Sequence, residues 1–82
     1  DQQVLAEQHL VQALEYARLC GDRLSTAEIL GERGRIRAKK GLTADALRYY
    51  DEALRVAKLI DWREGVAHLV KTLDLLRRLT QN

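Results

Sequence analysis

Apolar residues recur along the chain at intervals of three and four positions, which is the spacing of one face of an α-helix. In the first segment, Leu10, Ala13, Leu14 and Ala17 fall on such a face. The same periodicity continues through three further segments, and no segment has a competing strand pattern. The pattern therefore predicts four α-helices and no β-strand.

Short turns separate the predicted helices. Gly21 and Gly41 are natural helix stops, because glycine readily adopts the left-handed backbone conformation. The residues that can cap the following helices are Asp22 or Ser25, then Thr43, then Asp61. We expect an all-α, antiparallel helix-hairpin array in one domain over residues 1–82, with helices over residues 4–19, about 22–40, 43–59 and 61–79.

The chain resembles itself when it is shifted by 40 residues. The shift places Ala13 on Ala53 and Ala17 on Ala57, and most other matches also fall at small or apolar positions. One helix pair cannot bury its apolar face alone, so a second copy of the pair stacks on it. The sequence therefore predicts about two stacked helix-hairpin repeats.

The residues of the third helix carry a family resemblance. Gly41 precedes a helix with Ala46, Tyr50 and Ala53, a small–aromatic–small pattern at fixed spacing. This pattern resembles the tetratricopeptide repeat (TPR) family, in its longer variety of roughly 40 residues per repeat. The resemblance covers nearly the whole chain. It implies an α-solenoid in which the first helix of each repeat lines a concave groove that receives a peptide.

Several positions depart from the pattern of that family. Gly34 takes the place of the glycine at which helices pack, but Asp74 replaces it in the last helix. Arg33 stands where a core leucine is usual, and Arg37 and Arg77 stand where a large aromatic residue is usual. The sequence pattern assigns no role to these three arginines.

Composition narrows the class of protein. The single cysteine excludes an internal disulfide and favours a reducing, cytoplasmic setting, and its alignment with Ile60 places Cys20 in the expected core. No run of about 18 apolar residues indicates a membrane span. The chain begins with Asp1 rather than Met, so we expect it to be a fragment of a longer protein.

No set of residues indicates catalysis. Ser25, Cys20, His9 and His68 are not spaced as a nucleophile and its base, and two histidines without further ligands do not form a metal site. No glycine-rich phosphate loop is present. We therefore expect a non-enzymatic protein with no cofactor and no catalytic or metal-binding residue.

A basic cluster lies in the second helix. The cluster comprises Arg33, Arg35, Arg37, Lys39 and Lys40. Helical geometry divides it between two faces, and no aromatic residue interleaves with it to stack on bases. The overall charge is also nearly balanced, with 14 basic and 12 acidic residues. A solvated face with ion pairs or a protein-binding surface is therefore favoured over nucleic-acid binding.

The family resemblance implies a set of partner-binding residues in the groove. Carried over position by position, the set is Arg35, Lys39, Lys71, Leu75, Arg78 and Leu79, with Glu28, Gly31, Ala38 and His68 beside them. The basic members outnumber the single carboxylate, so an acidic or extended peptide segment is the expected ligand. Trp62 is expected to pack over the seam between repeats, with a contact to a partner as the alternative.

The last helix supports an alternative function. Leu75 and Leu79 form an apolar stripe apart from the core face of that helix, and an end helix in water does not need two apolar faces. Val4, Leu5 and Val11 of the first helix also lack an evident cover. The alternative is an oligomerisation or assembly segment of a larger regulatory protein, possible as a homo-oligomer.

Overall fold

A computed structural model describes residues 1–81. Within that range the chain forms four α-helices and no β-strand. The helices are α1 (Gln2–Leu19), α2 (Arg23–Lys39), α3 (Thr43–Leu59) and α4 (Arg63–Thr80). The predicted all-α helix-hairpin array is confirmed, and the predicted bounds of the helices agree with the observed ones to within a few residues.

The three turns have one geometry and recur at equal spacing. Positions 21, 41 and 61 are 20 residues apart, and Gly21, Gly41 and Asp61 adopt φ angles of 68°, 79° and 55°. After each, the next backbone N–H donates to a carbonyl in the last turn of the preceding helix, at 2.8–2.9 Å. This is the Schellman arrangement of a helix C-terminus. Asp61 fills the left-handed position because its short polar side chain tolerates that conformation better than most residues do.

The N-terminal cap of α2 is Asp22. Its carboxylate accepts hydrogen bonds from the Ser25 hydroxyl at 2.7 Å and from the Ser25 backbone N–H at 3.1 Å. Both bonds favour the charged form, so they lower the pKa of Asp22. A lowered pKa means that this contribution to stability is present above the ordinary pKa of aspartate. It is lost as the pH falls through the folded-state value.

The predicted caps Thr43 and Asp61 are wrong. Leu42 and Trp62 are the N-cap residues of α3 and α4, and neither makes a side-chain capping hydrogen bond. The reason is the length of the turn: the residue that caps the next helix is also the one whose N–H closes the previous helix. An apolar side chain is favoured at that closing position because it packs back on the helix it terminates.

The core lies where α2, α3 and α4 meet. Leu30, Ala46, Ala53 and Ala57 are fully inaccessible to solvent. The small side chains of α3 allow both neighbouring helices to approach it closely. Helix α1 packs on α2 at the edge of the array and contributes Leu14 to the core cluster. The prediction that Cys20 is buried is wrong, because it lies at the end of α1 where only the turn covers it.

Two aromatic rings pack directly on glycine backbone. A Cβ atom added at Gly34 would lie 3.0 Å from the ring of Tyr50, and one added at Gly65 would overlap the ring of Trp62. Gly34 therefore has the packing role that the sequence predicts. Gly31 differs, because a Cβ atom there would meet only Leu69 Cδ2, at 3.9 Å.

Arg37 joins α2 to both of its neighbours. Its Nε lies 3.4 Å from Glu7 Oε1 of α1 without forming a hydrogen bond, and its Nη1 lies 4.0 Å from Asp45 Oδ2 of α3. Lys40 Nζ also lies 3.4 Å from Glu7 Oε2. Glu7 is thus held by two cations in a half-buried seam, where ion pairs are less screened than on the open surface.

The other two arginines at usually apolar positions also contact a neighbouring helix. Arg77 Nη2 of α4 donates to both carboxylate oxygens of Asp51 in α3, at 2.9 and 3.0 Å. The guanidinium of Arg33 lies 4.5 Å from the ring centroid of Tyr49 in α3. The Arg77–Asp51 pair is half exposed, so it is worth no more than about 1 kcal/mol. All three arginines therefore replace apolar packing with ionic or cation–π contacts between helices.

We predict opposite effects of the same substitution at two helical glycines. Gly31→Ala should raise the free energy of unfolding by about 0.5–1 kcal/mol, because alanine favours the helix and its methyl group has room. Gly34→Ala should lower it by about 1 kcal/mol or more, because the methyl group presses on the Tyr50 ring. Urea unfolding followed by far-UV circular dichroism measures both, and equal effects at the two positions would contradict the packing described.

Candidate interaction surface

A cleft of about 380 Å³ opens between α2 and α4. Its residues are Ala27, Glu28, Gly31, Glu32 and Arg35 from α2, Tyr50 from α3, and Trp62, Glu64, Gly65, His68 and Leu69 from α4 and its N-cap. Within each helix these positions follow helical spacing, so one face of α2 lies opposite one face of α4. We call this site the α2–α4 cleft.

Packing on glycine gives the cleft its shape. The absence of a side chain at Gly31 leaves the α2 wall open, and the Trp62 ring lies against Gly65 on the α4 wall. Tyr50, which packs on Gly34, presents the remaining edge of its ring to the cleft. Both rings are held by backbone contact, so the aromatic surface is preformed.

The hydroxyl of Tyr50 stays protonated at neutral pH. Burial raises its pKa above the ordinary value, the nearby Arg35 guanidinium opposes this effect, and the Glu32 carboxylate adds to it. The net direction is upward, so the neutral phenol is the favoured form. Tyr50 can therefore donate a hydrogen bond to a ligand in the cleft.

The charge of the cleft is negative. Three glutamates line it against one arginine. That arginine is already engaged, because Arg35 Nε donates to Glu32 Oε1 at 2.8 Å, and this bond raises the pKa of Arg35. Within residues 1–81, no basic side chain lies within ion-pair distance of Glu28 or Glu64, and both residues are exposed. Two carboxylates, one on each wall, therefore remain available to a ligand.

The structure does not bring the six predicted partner-binding residues into one site. Arg35 lines the cleft, together with the predicted neighbours Glu28, Gly31 and His68. Lys39 lies beside the start of α1, and Lys71 lies on another surface near Arg77.

The remaining three predicted residues lie towards the end of α4. Arg78 pairs with Asp74 at 3.1 Å, and Leu75 and Leu79 are 53% and 76% exposed. The prediction of a single basic groove is therefore wrong. The cleft is built from the N-terminal halves of α2 and α4, whereas Lys39, Arg78 and Leu79 lie at the C-terminal ends of these helices.

Sequence reasoning missed the acidic and aromatic parts of the cleft. Glu32 and Glu64 were not assigned to the groove, and Trp62 was placed at the seam between repeats. A signal for them is present: Glu28 and Glu32 are four residues apart on one face of α2, and Glu64 and His68 have the same spacing on α4. That spacing indicates a shared face, but only the structure shows that the two faces oppose each other.

Comparison with protein-family models, with curated proteins and with solved structures gives no match to this chain. Within residues 1–81, no group of three or more histidine, cysteine, aspartate or glutamate side chains is arranged to hold a metal ion. In the same range, none of the helices combines the length and the apolar character that crossing a bilayer requires.

Proposed function

We propose that this chain is a non-catalytic protein-interaction module that binds an extended peptide segment in the α2–α4 cleft. The observation that carries the proposal is a preformed opening between two helices with aromatic rings and unpaired carboxylates on its walls. Its volume of about 380 Å³ is near the lower end of the range for ligand sites. A few side chains of a peptide fit such a space, and the open ends of the cleft leave room for the rest of the chain.

We also propose that the chain is a TPR-like repeat array acting as a scaffold in the cell interior. The equal spacing of the three turns and the contact of Gly34 with Tyr50 support this assignment, since both fall at positions that the family resemblance marks. In such an array α2 and α4 are the equivalent first helices of successive repeats. The cleft then lies between corresponding faces of the two repeats.

We predict that filling the cleft at Gly31 abolishes peptide binding. Gly31→Leu suits the helix and places its side chain in the open space, so affinity should fall by about tenfold or more. The ligands are peptides selected against the protein from a random library. Their affinity is measured by the fluorescence of Trp62, the only tryptophan of the chain.

The matched control is Ala44→Leu, which adds the same side chain at an exposed position of α3 outside the cleft. It should leave the affinity within about twofold of the wild-type value. Undiminished binding by a folded Gly31→Leu protein, or equal loss in both variants, would mean that the peptides bind elsewhere.

A second candidate function is self-association or assembly within a larger regulatory protein. Leu75 and Leu79 are four residues apart on α4 and largely exposed, and Val70 of the same helix is half exposed. An apolar stripe of this kind on the end helix of a repeat array is suited to pack on a further helix. A second copy of this chain can supply such a helix.

We predict that self-association depends on this stripe. The molar mass of the wild-type protein, measured by light scattering, should rise with concentration, and Leu75→Glu with Leu79→Glu should give a folded monomer. Leu59→Glu is the matched control, because Leu59 is 64% exposed on α3 and lies away from the stripe. A wild-type protein that is monomeric at every concentration would exclude this function.

A further inference from the structure

We infer that the α2–α4 cleft recognises a basic side chain, arginine or lysine, of the bound peptide. This inference rests on the proposed function and specifies its ligand. It reverses the charge that the sequence predicts for the partner. The observations that carry it are the distribution of charge over the two walls, the aromatic surface between them and the internal pairing of the one cation.

The carboxylates are placed to approach one cation from two sides. Glu28 belongs to α2 and Glu64 to α4, on opposite walls of the cleft. Neither has a basic partner within residues 1–81, and both are exposed, so neither has to break an internal ion pair to bind a ligand. A guanidinium or ammonium group between them gains attraction from both walls.

The aromatic rings suit the same ligand. Trp62 and Tyr50 both line the cleft, and each is immobilised by packing on a glycine. A cation that lies over the face of such a ring is attracted by its quadrupole, most strongly for tryptophan. The protein already uses this contact elsewhere, where Arg33 lies 4.5 Å from the ring centroid of Tyr49.

An acidic ligand is disfavoured in the same space. The only basic side chain of the cleft is Arg35, and its guanidinium donates to Glu32 through both Nε and Nη2. A carboxylate entering the cleft would compete with Glu32 for Arg35 and would meet the like charges of Glu28 and Glu64. Lys39, Lys71 and Arg78 lie outside the cleft, so they cannot compensate there.

The test uses three probes that differ only in the charge of one side chain. They are the N-acetyl, N-methylamide derivatives of arginine, of citrulline, which is its neutral isostere, and of glutamate. Each is titrated to concentrations on the order of 10 mM, where weak single-residue binding is detectable. Binding is followed by ¹H–¹⁵N correlation spectra at the Trp62 indole and at the backbone amides of Gly31 and Gly65.

The arginine probe should shift these signals with an affinity about fivefold or more above that of the citrulline probe, and added salt should reduce the difference. The glutamate probe should leave them unchanged. Glu28→Gln with Glu64→Gln should remove the preference for arginine over citrulline. Glu15→Gln with Asp74→Asn, which neutralises two exposed carboxylates outside the cleft, should preserve it.

Two results would overturn the inference. Equal shifts with arginine and citrulline would show that charge is not recognised, and no shift at the cleft signals with arginine would show that the cleft does not take a basic side chain. Both results leave the proposed function to be judged by the library-selected peptides. If those peptides bind the cleft while the arginine probe does not, peptide binding stands and its basic specificity fails.

Discussion

The contact between the ring of Tyr50 and the bare backbone of Gly34 is the constraint on which the rest of the structure depends. It sets the distance between α2 and α3 at their midpoints, because any side chain at position 34 would lie within 3.0–3.1 Å of the ring carbons. The same contact turns the remaining ring edge towards α4, where it becomes part of the cleft. Core packing and the shape of the candidate site therefore rest on one residue pair.

Ionic contacts hold the helices around this contact. Arg37 and Arg77 occupy equivalent positions in the two repeats, yet the first reaches Glu7 and Asp45 while the second reaches Asp51. Each gains a partner on the helix beside its own, and its long aliphatic stem covers apolar surface that an aromatic residue would otherwise fill. Charged residues thus stabilise the seams between helices, while the charges of the cleft are left for a ligand.

The fold was predictable from the sequence to a large extent, whereas the site was not. Gly21, Gly41 and the repeat offset of 40 residues indicate the turns directly, because a left-handed residue and helical periodicity are local signals. The cleft depends on how the N-terminal halves of α2 and α4 oppose each other. A position-by-position transfer from a family cannot show that Lys39 falls beyond the cleft or that Glu32 already binds Arg35.

The central claim, that Trp62 lies in an open cleft of excess negative charge, is tested most directly by fluorescence quenching of this single tryptophan with caesium and iodide ions. Each quenching constant is divided by the one measured with N-acetyltryptophanamide, which removes the intrinsic difference between the two quenchers. The carboxylates of Glu28, Glu32 and Glu64 should make caesium the more efficient quencher, and the difference should shrink as ionic strength rises. Equal quenching by both ions, or stronger quenching by iodide, would contradict the claim.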